Sequence, residues 1–266
     1  MKPWRLLDSG SMPPSLNMAV DQAILALHAE GKAPPTLRFY GWQPPAVSLG
    51  YFQKPPGLDL TALRGLGFEV VRRPTGGKAV LHWHDLTYAL IGGPEAGLPV
   101  GVAQAYRLIG EGLRQGLSLL GVEVQWGGTP KKRLHPDLCL LRGLAGALLH
   151  EGKKFMASAQ AWQGEALLQH GSLVLKPQTG VLLKLWGNGQ GVSQDLRLRL
   201  EEQVTSLEEI MGYPPQDREV KSALAQGVSQ ALGVRLKPGE LSPEEAALAE
   251  KLSRRQEEDN QWARKI

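Results

Sequence analysis

The strongest hydrophobic periods in the chain are helical. In residues 15–30, SLNMAVDQAILALHAE, apolar side chains at Met18, Ile24, Leu25 and Leu27 recur as on one helical face, which predicts a helix with Ser15 or Asn17 as its cap. A second helical period runs through AYRLIGEGLRQGLSLLG, residues 105–121, and stops at Gly121, where a glycine C-cap fits. TLRFYGW and PAVSLGY predict strands around a Pro44–Pro45 turn, and GFEVVRR and KAVLHWHDLTYALIG predict two more, joined at PTGG as a hairpin-like corner. Further strands are expected in VEVQW, in LLRGLAGALLHEGKKFMASAQAW around a Gly152 turn, and in LLQHGSLVL. Strands and helices mix without a regular βαβ alternation, so the expected fold class is α+β with a largely antiparallel or mixed sheet.

The pattern changes after about residue 194. EEQVTSLEEIMG, DREVKSALAQGVSQALG and SPEEAALAEKLSRRQEEDNQWARKI carry helical patterns, the last opening with the helix start Ser242-Pro243-Glu244-Glu245. The expected organisation is one domain over residues 1–195 followed by a small helical unit over residues 196–266.

Composition adds mainly exclusions. With 266 residues, 42% of them hydrophobic and 21% charged, the chain can bury a sizeable core and has no disordered signature. No apolar run approaches the roughly 18–20 residues of a membrane span. The opening MKPWRLLDSG lacks the apolar core of a signal peptide, so the cytoplasm is the expected compartment. The net charge of +4 is not gathered into a basic stripe with interleaved aromatics, so neither nucleic acid nor membrane is an expected partner. The single cysteine, Cys139, excludes an internal disulfide and any multi-cysteine metal site. It reads either as a small buried apolar residue or as a nucleophile whose thiolate is favoured by a nearby base or cation.

Candidate chemistry concentrates in VVRRPTGGKAVLHWHDLTYALI, Val70 to Ile91. A Walker loop fails on spacing, because Arg72 stands at the first glycine position and Ala79 where Ser or Thr belongs. His82 and His84 would point the same way on a strand, but no cysteine or acidic cluster at ligand spacing completes a metal site, and none is expected. What remains is an anion- or carbonyl-binding wall, or a plain basic corner. Thr75, Gly76 and Gly77 would offer bare backbone N–H groups, and Arg72, Arg73 and Lys78 would add charge. Alternation aims Arg72 and Arg73 at opposite faces, so one can line a pocket while the other is structural. In GKKFMASAQ, residues 152–160, a lysine pair entering a strand of small residues suits a narrow tunnel with one ammonium at its mouth. A solvated Lys153 with Lys154 snorkelling is the alternative.

Taken together, Asn17-Met18-Ala19-Val20-Asp21, LRFYGWQPPAVSLGYFQ (37–53), RRPTGGKAVLHWHDLTY (72–88), KKFMASAQ (153–160) and LQHGSLVL (168–175) resemble the lipoate/biotin protein ligase superfamily, in order and spacing across most of residues 1–195. The resemblance implies a class II aminoacyl-tRNA synthetase/biotin synthetase-like α+β fold: a mixed, largely antiparallel sheet flanked by helices, here with a small helical C-terminal unit. The superfamily holds ATP-dependent lipoate ligases and cofactor-free octanoyltransferases. Cys139, placed 15 positions before Lys154, is similar to the second group, the octanoyl-[acyl carrier protein]:protein N-octanoyltransferases. So is the helical tail, with its terminal Asn260-Gln261-Trp262. Departures from that group are Leu140 in place of Phe, LRGLAGA in place of an aromatic-containing segment, and Ala157 in place of Gly.

For site and partners, the resemblance implies catalytic Cys139 and Lys154. Cys139 would take the acyl group from octanoyl-acyl carrier protein and pass it to the target lysine of a lipoyl-domain protein, such as the glycine cleavage H protein. Substrate would lie against Arg72, Thr75, Gly76, Gly77, Lys78, His82, Ser158, Gln160, His170 and Gly171. The enzyme would act as a monomer, without metal or cofactor. The basic run Lys131-Lys132-Arg133 reads either as a solvated loop or as a patch that would steer the acidic carrier toward the thiol. Two other readings stay open. An ATP- and Mg-dependent ligase would grip an acyl-adenylate with Arg72, Gly76–Gly77 and Lys154, and a non-catalytic module would merely hold lipoyl or acyl groups.

Overall fold

The computed structural model describes residues 3–54, 57–128, 137–141, 146–186 and 194–259. Strand β1 (Trp4–Met12) runs directly into helix α1 (Pro14–Ala29). Proline at the first helical position needs no N–H partner and has its φ preset, so Pro13-Pro14 starts α1 one turn earlier than the polar residues suggest. Ser15 and Asn17 therefore sit inside the first turn and are not caps. Asn17 ties elements together instead, its Nδ2 donating to the carbonyls of Met12 (3.2 Å) and Gly41 (2.8 Å).

Next come β2 (Thr36–Trp42), β3 (Ala46–Leu49), α2 (Leu60–Gly65), β4 (Glu69–Arg72), β5 (Val80–His82) and β6 (Asp85–Gly92). The Pro44–Pro45 turn leads the chain out of the sheet that holds β2, so β3 starts a second, three-stranded sheet of order β4-β3-β5. PTGG is consequently not a hairpin corner. The arms β4 and β5 pair with opposite edges of the wholly buried β3, one parallel and one antiparallel, and residues 73–79 pass over it. Nor is KAVLHWHDLTYALIG one strand. A break at Trp83-His84, with His84 at φ +51°, sends β5 and β6 to different sheets, so His82 is buried while His84 is exposed.

Helix α3 (Val102–Leu119) ends as its apolar period predicts, with Gly121 just beyond it at φ +74°. Strands β7 (Gln125–Trp126), β8 (Leu148–His150) and β9 (Lys153–Lys154) form a small sheet, to which VEVQW contributes only its last two residues. Strands β10 (Met156–Gln163) and β11 (Ala166–Val174) follow, then α4 (Thr179–Trp186), α5 (Gln194–Gln203), α6 (Leu207–Met211), α7 (Asp217–Leu232), β12 (Leu236–Pro238) and α8 (Pro243–Asp259).

The main sheet has the order β10-β11-β6-β2-β1-β12. Its pairs are antiparallel from β10 to β2 and parallel on both sides of β1, giving the mixed sheet expected of an α+β fold. Alternation along the strands divides the cores. Leu37, Phe39, Tyr88 and Leu90 face α3 and α7, whereas Tyr40, Ala89 and Ile91 face α1 and α8. A third core lies beneath the small β4-β3-β5 sheet and gathers α2, α4 and α5 with Leu138, Leu140 and Leu141. Helices α3 and α7 approach so closely that a Cβ added at Gly227 would fall 2.2 Å from the Gly116 nitrogen and 2.3 Å from the Gly112 oxygen. Strand β12, too short to show a pattern in the sequence, extends the sheet beyond β1.

Candidate active site

A cavity of about 420 Å³, counted to its open mouth, lies where the two larger sheets meet. The main sheet supplies Tyr40, Trp42, Thr87, Ala157, Ser158, Ala159, His170, Gly171 and Ser172; the smaller sheet and its loop supply Ser48, Arg73, Gly77, Val80 and His82. Met18 of α1 and Cys139 complete the wall. The thiol is placed by the main chain. The Cys139 N–H donates to the Ala79 carbonyl and the Ala79 N–H to Asp137, each at 2.9 Å, so the segment runs beside Ala79 as a short parallel bridge. Leu138, Leu140 and Leu141 anchor it in the third core, leaving Cys139 half-buried at the cavity.

Lys154 is only 6% exposed, and its Nζ donates to the Cys139 carbonyl oxygen at 2.9 Å. It therefore grips the peptide of the cysteine and does not line the cavity. The two arginines divide as alternation requires, with the pocket role falling to Arg73. Buried Arg73 donates to the Ser48 carbonyl (3.0 Å), Ser48 Oγ (3.2 Å), and the Gly76 and Lys78 carbonyls (2.8 Å each), folding the PTGGK loop around its guanidinium. Burial pulls the Arg73 pKa down somewhat, while the charge of a Cys139 thiolate pulls it up. Arg72 instead donates to the carbonyls of Gly50 (2.7 Å), Tyr51 (3.0 Å) and Gln53 (2.9 Å), outside the cavity.

Two histidines brace the walls, each through an aspartate. His170 Nδ1 lies 3.0 Å from Asp21 Oδ2, and its Nε2 lies 2.7 Å from Thr75 Oγ1. His82 Nδ1 lies 2.8 Å from Asp85 Oδ2, and its Nε2 lies 2.8 Å from Ser48 Oγ. With both rings protonated on Nδ1, every donor in these chains meets an acceptor. Trp42 stacks on His82 at 3.9 Å and donates to Thr87 Oγ1, whose hydroxyl in turn donates to Asp85. Asp21 also accepts from Arg38 and from Tyr40, both at 2.7 Å. Burial alone would raise the Asp21 pKa, but Arg38, His170 and Tyr40 together hold it below the ordinary value. Burial is the main influence on His170 and lowers its pKa against the pull of Asp21, with Arg73 and His82 adding to the lowering.

On the far wall, Tyr88 donates to Ser158 Oγ and accepts from Gln169 Nε2, both at 2.9 Å, and Gln160 bonds Gln169 at 2.8 Å. Tyr106 of α3 also bonds Ser158; burial first, and then the charge of Cys139, raises its phenol pKa. Beside Ser158, a Cβ at Gly171 would lie 2.5 Å from the Ser158 Oγ and 2.7 Å from the Ala157 carbonyl, so no larger residue fits unless the strands part.

Of the residues expected at the site, the cavity wall takes Cys139, Gly77, His82, Ser158, His170 and Gly171. Lys154 and Thr75 stand one hydrogen bond behind it; Gly76 and Lys78 offer carbonyls to Arg73; Gln160 and Arg72 are engaged elsewhere. Asp21, Arg38, Ser48, Asp85 and Tyr106 escaped the residue-by-residue reading. Only Asp85, three positions after His82, had a local spacing that could have suggested it. Lys131-Lys132-Arg133, most of LRGLAGA, and Asn260-Gln261-Trp262 fall outside the described residues. Among the described residues, no three His, Cys, Asp or Glu side chains converge as a metal site, and no helix is long and apolar enough to cross a membrane.

Comparison with known proteins places this geometry among relatives. The model of the lipoyl protein ligase A/B catalytic domain matches residues 13–229. Octanoyltransferase LipM of Kyrpidia tusciae is 41% identical over 261 residues, 95% of each chain. Octanoyltransferase LipM of Bacillus subtilis is 35% identical over 271 residues, 97% of each chain. Among solved structures, lipoate-protein ligase A bound with ATP superposes with a TM-score of 0.79 at 23% identity, covering 98% of both chains. The Thermoplasma acidophilum protein Ta0514, a lipoate protein ligase homologue with bound lipoic acid, gives 0.77 at 23% identity over 96% of each. At such identities these structures speak for the fold alone.

Proposed function

The chain belongs to the lipoyl protein ligase A/B catalytic-domain family, and from that premise we propose a route for its reaction through Cys139. The protein is an octanoyltransferase of lipoate biosynthesis, an acyltransferase whose acceptors are lipoyl-domain proteins. The donor is octanoyl-acyl carrier protein. The Cys139 thiolate, in the cavity wall it shares with Arg73, attacks the thioester carbonyl carbon. The carbon–sulfur bond to the carrier breaks, the carrier thiol leaves with a proton, and the octanoyl group remains as a thioester on Cys139. The ε-amine of the target lysine, in an acceptor such as the glycine cleavage H protein, then attacks the same carbon. An amide forms, the bond to Sγ breaks, and the amine's proton returns to the sulfur.

Exchange between two thioesters is nearly balanced and the amide product is far more stable, so the transfer runs without ATP. Lys154 fixes the Cys139 peptide, and therefore the direction of Sγ. Backbone N–H groups near Gly77 or Ser158 are suited to hold the oxyanion, typically worth about 2.7–4 kcal/mol per donor. Met18, Trp42, Val80, Ala157 and Ala159 offer the acyl chain apolar walls, at roughly 0.8 kcal/mol per buried CH₂. The enzyme is read as a cytoplasmic monomer.

The observation carrying this route is the placement of Cys139 in the cavity wall with the Lys154 ammonium on its carbonyl. The test is incubation with octanoyl-carrier protein and H protein without ATP, followed by mass spectrometry. Octanoyl appears on Cys139 and then on the acceptor. Labelling only from free octanoate plus ATP, undiminished in Cys139→Ser, would instead mean a ligase.

A further inference from the structure

Next to the thiol's cavity, and sharing Arg73 with it, lies a more open groove of about 590 Å³ that the reaction route does not use. Arg72 and Tyr51 form one side; Gln22 of α1 and Leu252, Arg255 and Gln256 of α8 form the other. Three of its features do nothing evident for folding. The Oε1 of Gln256 is buried without a hydrogen-bond partner, although polar atoms in a finished interior are almost always paired. Arg255 is exposed and, among the described residues, meets no carboxylate, while its neighbours Arg254 and Glu257 engage Glu250 and Ser15. Tyr51 and Phe52 form an edge-to-face pair at the rim, 55% and 87% exposed.

We infer that this groove binds the prosthetic arm of the acyl donor, a 4′-phosphopantetheine thioester borne by a carrier protein. The assignment rests on the donor reading above. Such an arm presents amide N–H groups, an apolar gem-dimethyl segment and a phosphodiester. Gln256 gains its missing donor by turning the free oxygen to an amide N–H. Leu252 and the Tyr51 ring cover the apolar segment. Arg255 meets the phosphate with a guanidinium that pairs with no carboxylate among the described residues, in the charge-assisted geometry that arginine gives phosphate. Arg73, common to both spaces, marks the point where the thioester end passes from groove to cavity.

The test compares octanoyl-pantetheine with octanoyl-4′-phosphopantetheine as donors to H protein, in the full-length enzyme, Arg255→Ala and Arg254→Ala. Wild type is expected to favour the phosphorylated thioester by about tenfold or more in kcat/KM, as one charge-assisted contact allows. Arg255→Ala brings the ratio to within about threefold of unity, as loss of that contact requires, and Arg254→Ala leaves it as in wild type. Equal use of the two donors by wild type, or a preference that survives Arg255→Ala, overturns the groove assignment while the transferase reading stands. No turnover of either thioester, with octanoate and ATP required instead, overturns the donor reading and the groove assignment with it. Octanoyl-carrier protein and octanoyl-coenzyme A separate two sources of the arm: the carrier is expected to be the better donor, and a better coenzyme A thioester overturns the choice of a carrier-borne arm.

Discussion

Lys154 reaches the carbonyl oxygen of Cys139 rather than its sulfur, holding it at 2.9 Å from a position itself almost wholly buried. The lysine thereby fixes the backbone from which the thiol projects. Lys154→Met is expected to slow transfer by about 10²-fold, as misplacement of a reacting group does, mainly in kcat. Lys154→Arg should recover part of the loss by restoring the bond to the carbonyl. Rapid-mixing mass spectrometry of the octanoylated enzyme checks both; an unaltered rate of Cys139 labelling in Lys154→Met would remove the lysine from the first step. Cys139→Ala is expected to form no acyl-enzyme in the same measurement.

Arg38 and Asp21 are fully buried and joined at 2.7 Å. Removing one partner strands the other charge, so Arg38→Met is expected to cost about 3–5 kcal/mol of folding stability. The double variant Arg38→Met/Asp21→Asn should lose less than the sum of the two single changes. Urea denaturation of all four proteins measures the coupling.

The same network predicts a pH dependence. Burial holds His170 below its ordinary pKa, and Asp21 is held low by Arg38. Both groups take up protons more readily in the unfolded chain, so their contribution to stability is complete above the unfolded values and is lost on acidification. The loss begins as pH drops below about 6.5 for His170 and deepens below about 4 for Asp21. Urea midpoints measured from pH 8 to pH 4 should fall on the acid side, and less steeply near pH 6 in His170→Gln; a flat profile between pH 7 and pH 5 would contradict the assignment.

Gly171→Ala tests the floor of the cavity. The added methyl collides with the Ser158 hydroxyl and the Ala157 carbonyl, with a typical overpacking cost of about 1–3 kcal/mol. Transfer of octanoyl should weaken further than stability alone explains, which activity measured well below the variant's melting temperature would show.

The sequence disclosed those parts of the fold whose partners are close along the chain or whose period is long. The apolar face of α1, the stop of α3 at Gly121 and the run of β11 all follow local rules. Pairing did not: β4 and β5 looked like the arms of a hairpin because the strand between them, β3, precedes both in sequence. Alternation correctly separated Arg72 from Arg73 but could not choose between them, since the choice depends on carbonyls of residues 50–53 presented by a distant loop. Cys139 and Lys154 were singled out through the resemblance and their spacing, and the fold sets them side by side, with Cys139 in the cavity wall and Lys154 on its carbonyl. Neither histidine's carboxylate was singled out from spacing: Asp21 lies 149 positions from His170, whereas Asp85 lies only three from His82 and was within reach of a local reading.

The glycine seam between α3 and α7 has a mechanical consequence. At Gly112, Gly116 and Gly227 backbone meets backbone, so a side chain added at any of the three would force the helices apart. Tyr106 sits near the start of α3, within electrostatic reach of the thiol. A side chain at Gly227, on a helix that contributes nothing to the cavity wall, would therefore displace the helix that carries Tyr106.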